Sequence, residues 1–483
     1  MHSGMKKTSL GTKPAGLEKA LRLFHRAARE VPAYADFLRK KRIDPDQIDS
    51  ADAFAKIPPT TKENYITRYP LADRSWGGSL KEQKLFAVSS GTSGEPTIWP
   101  RGEAQEREAQ AIHERLYDDL FAVSALRTLI IVGYPMGMYV SGIATVLPTW
   151  SAIAKKPHVS MVTVGNSKES FLIAMAALGD EFEQMLLIGH PFFIKDVLET
   201  ARDRKMKIKA RIRGLFCSEG FNEAWRDHLA RLAPGADAAS DFFNTYGSSE
   251  FLLVGHENPL TISIRRLAEK EPAVCKTLFG SAAVPNLFQY DPEIRYIETM
   301  SGDLVITAHA GVPLIRFNQH DAGAVLPYDA MVQALTAATL QRMKSARAPW
   351  RGRALPFVTL SGRSDRTVVF YAANIYPEHI MEAMNDPAYL GYLTGKFVME
   401  KKYLSDMEQE LIIHTELRPE VRKSAAFAHK LEKHIATTLA RINMEYRHLR
   451  SIGQKHLDPR VDLRPYQDST HFKPGLKPRY IAK

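Results

Sequence analysis

Residues 184–218 read "QMLLIGHPFFIKDVLETARDRKMKIKARIRGLFCS" and contain two apolar runs separated by a longer amphipathic segment. The runs "QMLLIGH" and "IRGLFCS" are short and almost wholly apolar, which is typical of strands buried on both faces. In the segment "PFFIKDVLETARDRK" the apolar residues recur at helical spacing. A strand, a helix and a strand in this order predict two parallel strands joined by a helical crossover, the repeating unit of an α/β sheet.

The same alternation extends to both sides of this stretch. "LRTLIIVG", "HVSMVTVG" and "DFFNTYG" are read as further strands, and "KESFLIAMAALGDEF" and "NEAWRDHLARLA" as helices between them. The pattern changes near Asp303, where "GDLVITAH" and "VPLIRFNQHDAGAV" are typical of antiparallel strands. We therefore predict an α/β fold with a mainly parallel sheet plus antiparallel strands in residues 1–360. A smaller α+β domain is predicted in residues 361–483.

Composition narrows the function classes without naming one. The two cysteines among 483 residues favour a reducing, cytoplasmic location over a disulfide framework. The net charge of +11 suits nucleic acid or polyanionic small molecules such as ATP. Because no interleaved basic and aromatic stripe appears, we expect no nucleic-acid partner. Residues 128–154 carry no charged side chain, but two prolines and three glycines interrupt them, so we expect a buried strand and helix and no membrane span.

A loop rich in hydroxyls and glycines lies between two apolar runs in "LFAVSSGTSGEPTIWPRG", residues 85–102. It lacks the spacing of a Walker loop or of a dinucleotide fingerprint. Its hydroxyls and freed backbone amides can still surround phosphate oxygens, although such a cluster is more often a solvated turn. The candidate phosphate-binding residues are Ser89, Ser90, Gly91, Thr92, Ser93 and Gly94.

Two later stretches carry further candidate ligand groups. In "FFNTYGSSE" a strand ends in an aromatic ring, two hydroxyls and a carboxylate, and loops at the carboxyl ends of such strands bind ligands in open α/β sheets. Tyr246 is suited to stack on a base and Glu250 to hold Mg²⁺. The stretches "PLIRFNQHD" and "GRSDRTVVFYAANIYPEHI" place Asp321, Arg363 and Asp365 near the predicted domain boundary. Taken singly, each stretch also fits an ordinary turn or solvated charges.

Together and in this order, the stretches resemble motifs of the adenylate-forming ligase superfamily, and within it the phenylacetate–CoA ligase-like branch. "SSGTSGEPT", "YGSSE", "GDLVIT…PLIRFNQHD" and "GRSDRTVVFYAANIYPEHI" are similar to four of its motifs, and "GLFCSEGFNEAWRDHL" is similar to its adenine loop. The resemblance covers residues 17–400 and continues more faintly to the end. It implies a reaction in two steps. ATP and Mg²⁺ convert a carboxylic acid into an acyl-adenylate, and a mobile C-terminal domain then helps to transfer the acyl group to coenzyme A.

The resemblance also implies roles for individual residues. The loop from Ser89 to Gly94 would hold the phosphates, Glu250 the Mg²⁺ ion and Asp321 the ribose hydroxyls, with Arg363 beside it. Asp365 would be the hinge of the small domain. A catalytic lysine would come from "HFKPGLKPRYIAK", where Lys477 is preferred and Lys473 is the alternative. The remaining nucleotide-binding positions would be Ser218, Glu219, Gly220, Tyr246, Gly247, Ser248 and Ser249.

Departures from the family pattern leave the acceptor open. Glu95 stands where the loop usually has lysine, and Ala372 stands where glycine lines the path of the pantetheine arm. The alternatives are therefore transfer to an amine or a carrier protein, or a catalytically retired nucleotide-binding scaffold. The stretches "GYPMGMYVSG" and "IGHPFF" are expected to form the pocket of a medium-sized or aromatic acid. The candidate pocket residues are Tyr134, Met136, His190 and Phe192. A homodimer is compatible with the branch.

Overall fold

The computed structural model describes residues 15–89, 97–281, 283–335, 353–364, 367–472 and 480–481. Short helices precede the first strand. Amphipathic α1 packs its apolar face against the strands that follow, and Gly16 precedes it with a left-handed φ of 83°. These helices are α1 (Leu17–Glu30), α2 (Pro32–Lys40), α3 (Ala51–Ala55) and α4 (Leu71–Arg74). A π-helical turn, Lys62–Ile66, starts at a capping box in which Thr61 and Asn64 bond each other's backbone.

One eleven-stranded sheet organises most of the chain. Before it, β1 (Leu85–Ser89) and β2 (Thr97–Arg101) form an antiparallel pair. The parallel half of the large sheet has the order β4-β3-β5-β6-β7, and the antiparallel half continues as β8-β9-β13-β12-β11-β10. The strands are β3 (Thr128–Gly133), β4 (Val159–Thr163), β5 (Gln184–Gly189), β6 (Arg211–Phe216), β7 (Phe242–Ser248), β8 (Leu252–His256), β9 (Asn286–Gln289), β10 (Tyr296–Met300), β11 (Asp303–Ala308), β12 (Leu314–Leu326) and β13 (Phe357–Arg363).

Helices cover the parallel strands, which explains the uninterrupted apolar runs of β3 and β5, buried at every position. The covering helices are α5 (Glu103–Phe121), α6 (Val140–Ile153), α7 (Lys168–Leu178), α8 (Pro191–Asp203) and α9 (Glu223–Leu232). Three further helices, α10 (Pro259–Lys270), α11 (Pro272–Phe279) and α12 (Tyr328–Ala334), pack with the antiparallel strands β9 and β13. The α/β fold with parallel and antiparallel strands is therefore confirmed. Both strand types belong to a single sheet, because β7 pairs in parallel with β6 and antiparallel with β8.

After Arg363 the described strands form separate sheets. A hairpin joins β14 (Val368–Phe370) to β15 (Ala373–Ile375), and its tip residues, Tyr371 and Ala372, have φ of 47° and 65°. Three further strands, β16 (Leu393–Tyr403), β17 (Gln409–Leu417) and β18 (Arg460–Arg464), form a mixed sheet. The helices here are α13 (Pro377–Met384), α14 (Pro387–Leu390), α15 (Ala425–Ile442) and α16 (Met444–Ser451). We call residues 367–472 and 480–481 the C-terminal unit; the division at residue 360 stays a prediction.

The uncharged segment 128–154 forms β3, a turn and α6, which contains Pro148. Among the described residues, no helix has both the length and the apolar character needed to cross a membrane.

Candidate active site

A cavity of about 780 Å³ lies where the large sheet, helices α5 and α6, and the C-terminal unit meet. Its wall includes the loops that follow β6 and β7, at the carboxyl ends of parallel strands, where α/β sheets bind ligands. Many of the predicted site residues line this one cavity although they come from separate segments of the chain. They are Ser89, Tyr134, Ser218, Glu219, Gly220, Tyr246, Gly247, Ser248, Ser249, Glu250, Asp321 and Arg363.

Several predicted residues lie outside the described part of the chain. These are Ser90, Gly91, Thr92, Ser93, Gly94, Asp365, Lys477 and the alternative Lys473, together with the departure Glu95. Two residues near these segments, one before the first segment and one after the last, line the same cavity. Ser89 ends β1 at the cavity, and Ile481, four positions after Lys477, also lines it. Ile481 is held there by a bridge to Met399 of β16.

The loop after β6 approaches its neighbours closely. A Cβ atom at Gly220 would lie 2.2 Å from the side-chain nitrogen of Asn286, so a larger residue would have to displace the Asn286 side chain. Ser218 has a left-handed φ of 80°, an uncommon conformation for a residue other than glycine. Strain of this kind persists only where the surroundings enforce it, and it is concentrated at ligand-binding sites.

Asp321 is held in a fixed orientation by hydrogen bonds within the cavity wall. The phenol of Tyr246 donates to its Oδ2 atom at 2.6 Å, and the amide of Gln319 donates to the same oxygen. The antiparallel register of β12 and β13 places Arg363 directly opposite Asp321, with its Nη1 atom 3.5 Å from Oδ1. Burial raises the pKa of the Asp321 carboxyl, although the charge of Arg363 opposes the rise. The result is a preoriented carboxylate, which is suited to accept hydrogen bonds from hydroxyl groups.

Glu250 is buried at the end of the loop that follows β7. The ammonium of Lys62, from the π-helical turn, lies 3.1 Å from its Oε1 atom. Burial raises the pKa of this carboxyl, but Lys62 together with hydrogen bonds from the backbone and Ser248 leaves the pKa below its ordinary value. In the described residues no group of three or more His, Cys, Asp and Glu side chains could hold a metal ion. A single ionised carboxylate fits Mg²⁺ when phosphate oxygens and waters supply the other ligands.

The other end of the cavity lies between α5 and α6 and is lined by uncharged side chains. We call this part the α5–α6 compartment; it is lined by His113, Leu116, Tyr117, Tyr134, Ala144 and Thr145. Of the predicted acid-pocket residues, Tyr134 lines it. His190 contacts the Tyr134 ring edge-on, with the ring centroids 5.0 Å apart. Met136 is 40% exposed, and Phe192 is buried away from the cavity wall, edge-on to Tyr371.

Glu219 connects the loop after β6 to the C-terminal unit. Its carboxylate accepts a hydrogen bond of 3.1 Å from the backbone amide of Ala372, at the tip of the β14–β15 hairpin. Lys401 of β16 donates to the other oxygen at 2.8 Å, and the amide of Gln409 donates there as well. These contacts place Ala372 in the cavity wall.

Sequence reasoning missed several residues of the cavity. Lys62 was visible only as part of a helix start in "PPTTKENY", and His113 only as one polar residue of the charged helix that is α5. Lys401 belongs to a run of three charged residues, Glu400–Lys402, which looks like an exposed strand end. No local signal marks any of them, since each reaches the cavity through long-range packing.

Comparison with known proteins shows the same fold in acid-activating enzymes. No protein-family model matches the sequence. The phenylacetate-coenzyme A ligase of Aromatoleum evansii is 23% identical over 453 residues, covering 85% of this chain and 84% of the relative. The structure of 2-hydroxyisobutyryl-CoA ligase with 2-HIB-AMP and coenzyme A, in the thioesterification state, has a TM-score of 0.63 at 16% identity, covering 97% of this chain and 88% of its own. The same ligase in the postadenylation state with 2-HIB-AMP has a TM-score of 0.53 over the same shares, at 16% identity.

The sheet, the cavity and these likenesses define an ATP-dependent adenylate-forming ligase. In sequence the chain is similar to phenylacetate-coenzyme A ligase, and in fold it is similar to 2-hydroxyisobutyryl-CoA ligase.

Proposed function

We propose that the protein activates a monocarboxylic acid that is aromatic or of medium size and has no charge besides its carboxylate, and that it transfers the acyl group to the thiol of coenzyme A. The supporting observation is that one cavity is lined both by the hydroxyls and carboxylates expected of a nucleotide site and by the uncharged side chains of the α5–α6 compartment. The similar proteins phenylacetate-coenzyme A ligase and 2-hydroxyisobutyryl-CoA ligase are coenzyme A ligases, which agrees with this assignment.

In this proposal each charged residue of the nucleotide end has a defined task. Asp321 accepts hydrogen bonds from the ribose hydroxyls, and Tyr246 keeps that carboxylate in position. Ser89 and the loop that follows it donate to phosphate oxygens. Glu250 would hold Mg²⁺, which when bound neutralises phosphate charge during the reaction. Lys62 places a positive charge beside Glu250. In this proposal it partly takes over the task of the loop lysine of the resembled family, where this chain has Glu95.

The chemistry then proceeds in two balanced steps. A carboxylate oxygen of the acid forms a bond to the α-phosphorus while the bond from that phosphorus to the bridging oxygen breaks, releasing pyrophosphate. The thiolate of coenzyme A next attacks the acyl carbon, and AMP leaves with its oxygen. Lys477 would stabilise the negative charge that the acid and the α-phosphate share in the first step. Support for this lysine comes from Ile481, which lines the cavity four positions later in the chain.

An amine acceptor is the second candidate, and the side chain of Ala372 favours it. Ala372 lines the cavity where the resembled family has glycine, and its methyl group narrows the space beside the hairpin tip. A small amine requires less room than the pantetheine arm.

One experiment tests the proposal and separates the acceptors. The protein is incubated with ATP, Mg²⁺ and a panel of monocarboxylic acids, and pyrophosphate–ATP exchange is followed. Exchange that depends on an acid supports adenylation, whereas no exchange with any acid contradicts it and favours a retired scaffold. Product formation that coenzyme A accelerates supports the thioester. If simple amines accelerate it and coenzyme A does not, the amine reading replaces it.

Two variants examine the choice of lysine. We expect Lys477→Ala to abolish exchange and Lys473→Ala to retain it. The reverse pattern would transfer the role to Lys473.

A further inference from the structure

Two polar side chains of the α5–α6 compartment present hydrogen-bond acceptors. His113 lies on α5, between the apolar Ala109 and the buried Leu116 and Tyr117. Its Nδ1 atom is 2.8 Å from the carbonyl oxygen of Ala109. Because a carbonyl only accepts, Nδ1 carries the hydrogen, and in the neutral ring Nε2 is an acceptor.

The ring is neutral at physiological pH. Burial, helped by the charge of Arg101, lowers the pKa of His113 to about 4 although the hydrogen bond to Ala109 opposes the fall. Among the residues that the structure describes, the bond to Ala109 is the one hydrogen bond that His113 makes. Nε2 therefore has a lone pair without a protein partner in that part of the chain, on a residue of the cavity wall.

The neighbouring hydroxyls have their own partners. The phenol of Tyr117 is 2.5 Å from the Thr149 hydroxyl. The hydroxyl of Thr145 donates to the carbonyl of Ser141 at 2.8 Å, so it also has only lone pairs to offer. His113 and Thr145 thus offer acceptors in a wall without charged side chains, and an acid whose body carries a donor satisfies them.

We infer that the acid taken by this site carries a hydroxyl or N–H group on its body, and that His113 recognises it by accepting a hydrogen bond at Nε2. The inference rests on the proposed function and specifies the substrate class of the same site. A donor-bearing acid supplies a hydrogen-bond partner to Nε2. An acid of equal shape without a donor leaves a desolvated acceptor unpaired, which is the stronger source of discrimination.

The test compares matched acids on three proteins. The acids are phenylacetic acid, its 2-, 3- and 4-hydroxy isomers, and the corresponding methoxy compounds, which accept but do not donate. The proteins are the wild type, His113→Leu and His113→Gln, in which the amide oxygen keeps an acceptor. His429→Leu is the matched control, because His429 lies exposed on α15. Circular dichroism and thermal melting verify that each variant is folded.

The wild type is expected to favour the best hydroxy isomer over its methoxy partner by at least about tenfold in kcat/KM for pyrophosphate release. His113→Leu should lose this preference, while His113→Gln and His429→Leu keep it. Equal kcat/KM for the two members of every pair in the wild type would overturn the inference, as would an unchanged preference in His113→Leu.

A second readout separates this inference from the proposed function. Calorimetry measures binding of the same acids to protein saturated with AMP, and needs no turnover. If a hydroxy acid binds preferentially but no acid causes pyrophosphate release from ATP, the proposed function is contradicted while the role of His113 is supported. Failure of every hydroxy acid to bind more tightly than its methoxy partner would overturn the role of His113 even if turnover occurs.

Discussion

Replacing Lys195 by methionine should destabilise the attachment of the C-terminal unit to the large sheet. Lys195 lies on α8, is fully buried at 0% exposure, and has its ammonium 2.7 Å from Oε1 of Glu408 and 3.1 Å from Oε1 of Glu199. Glu408 lies in the turn between β16 and β17. The ion pair therefore joins a helix of the parallel half of the sheet to the C-terminal unit.

The size of the effect follows from what the substitution leaves behind. Methionine fills most of the volume of lysine but leaves the Glu408 carboxylate buried without its cation. Removing one member of a buried pair costs about 3–5 kcal/mol. The phenol of Tyr371 still donates to the other oxygen of Glu408 at 2.6 Å, so we expect a loss near the lower end, about 3 kcal/mol.

The double variant Lys195→Met/Glu408→Gln tests the reasoning directly. It removes both charges, while the glutamine oxygen can still accept from Tyr371. Because replacing a buried ion pair by uncharged groups is often nearly neutral, the double variant should recover much of the stability lost in Lys195→Met. The coupling between the two sites should then be on the order of 2 kcal/mol.

Urea unfolding measures these differences, followed by far-ultraviolet circular dichroism and by tryptophan fluorescence. Two probes are needed because a chain with several separate sheets can unfold in more than one step, and the effect is expected in the step that detaches the C-terminal unit. Lys209→Met is the matched control: its ammonium is 2.9 Å from Asp180 but its side chain is 80% exposed, so solvent screening should make the loss of stability much smaller. A loss in Lys195→Met no larger than in this control, or a double variant as unstable as the single one, would refute the argument.

Three further predictions concern the cavity. Burial raises the pKa of Asp321, so its carboxylate is protonated at a higher pH than an exposed aspartate. The KM of the wild type for ATP should therefore rise as the pH falls through that pKa. If the pH profile of this KM is the same in the wild type and in Asp321→Asn, the ribose role is contradicted. Glu250→Gln removes a carboxylate that Lys62 keeps ionised, and should raise the Mg²⁺ concentration for half-maximal exchange by at least roughly tenfold. An unchanged Mg²⁺ titration would place the metal elsewhere. Ala372→Gly removes a side chain at a φ of 65°, so it should raise the urea midpoint and increase the free energy of unfolding by about 1 kcal/mol at most. If coenzyme A is the acceptor, the same variant should also form the thioester faster. A lower midpoint would show that the left-handed conformation is not strained.

The sequence predicts some parts of this molecule well because their causes are local. Buried strands such as β3 and β5 are continuous apolar runs, and the loops that end β6 and β7 carry recognisable motifs. Such motifs put Asp321 and Arg363 in one site, and the register of β12 against β13 supplies the physical reason, since the two residues face each other across the strands. What these residues bind remains a prediction that the pH and metal experiments address.

The parts that sequence reasoning could not reach depend on a second layer of structure covering the first. On α8, Lys195 reads as one solvated charge of an amphipathic helix, because the helical period shows which face meets the sheet but not what later covers the opposite face. Glu408, in the turn between β16 and β17, comes 213 positions later in the chain. The packing of this turn against α8 buries the ammonium of Lys195. His113 and Lys62 follow the same rule: each becomes part of the cavity wall only when segments distant in the chain pack beside it. Sequence reasoning is therefore least complete at charged side chains that look solvated in the sequence but are buried in the fold. Variants at these positions are the most informative.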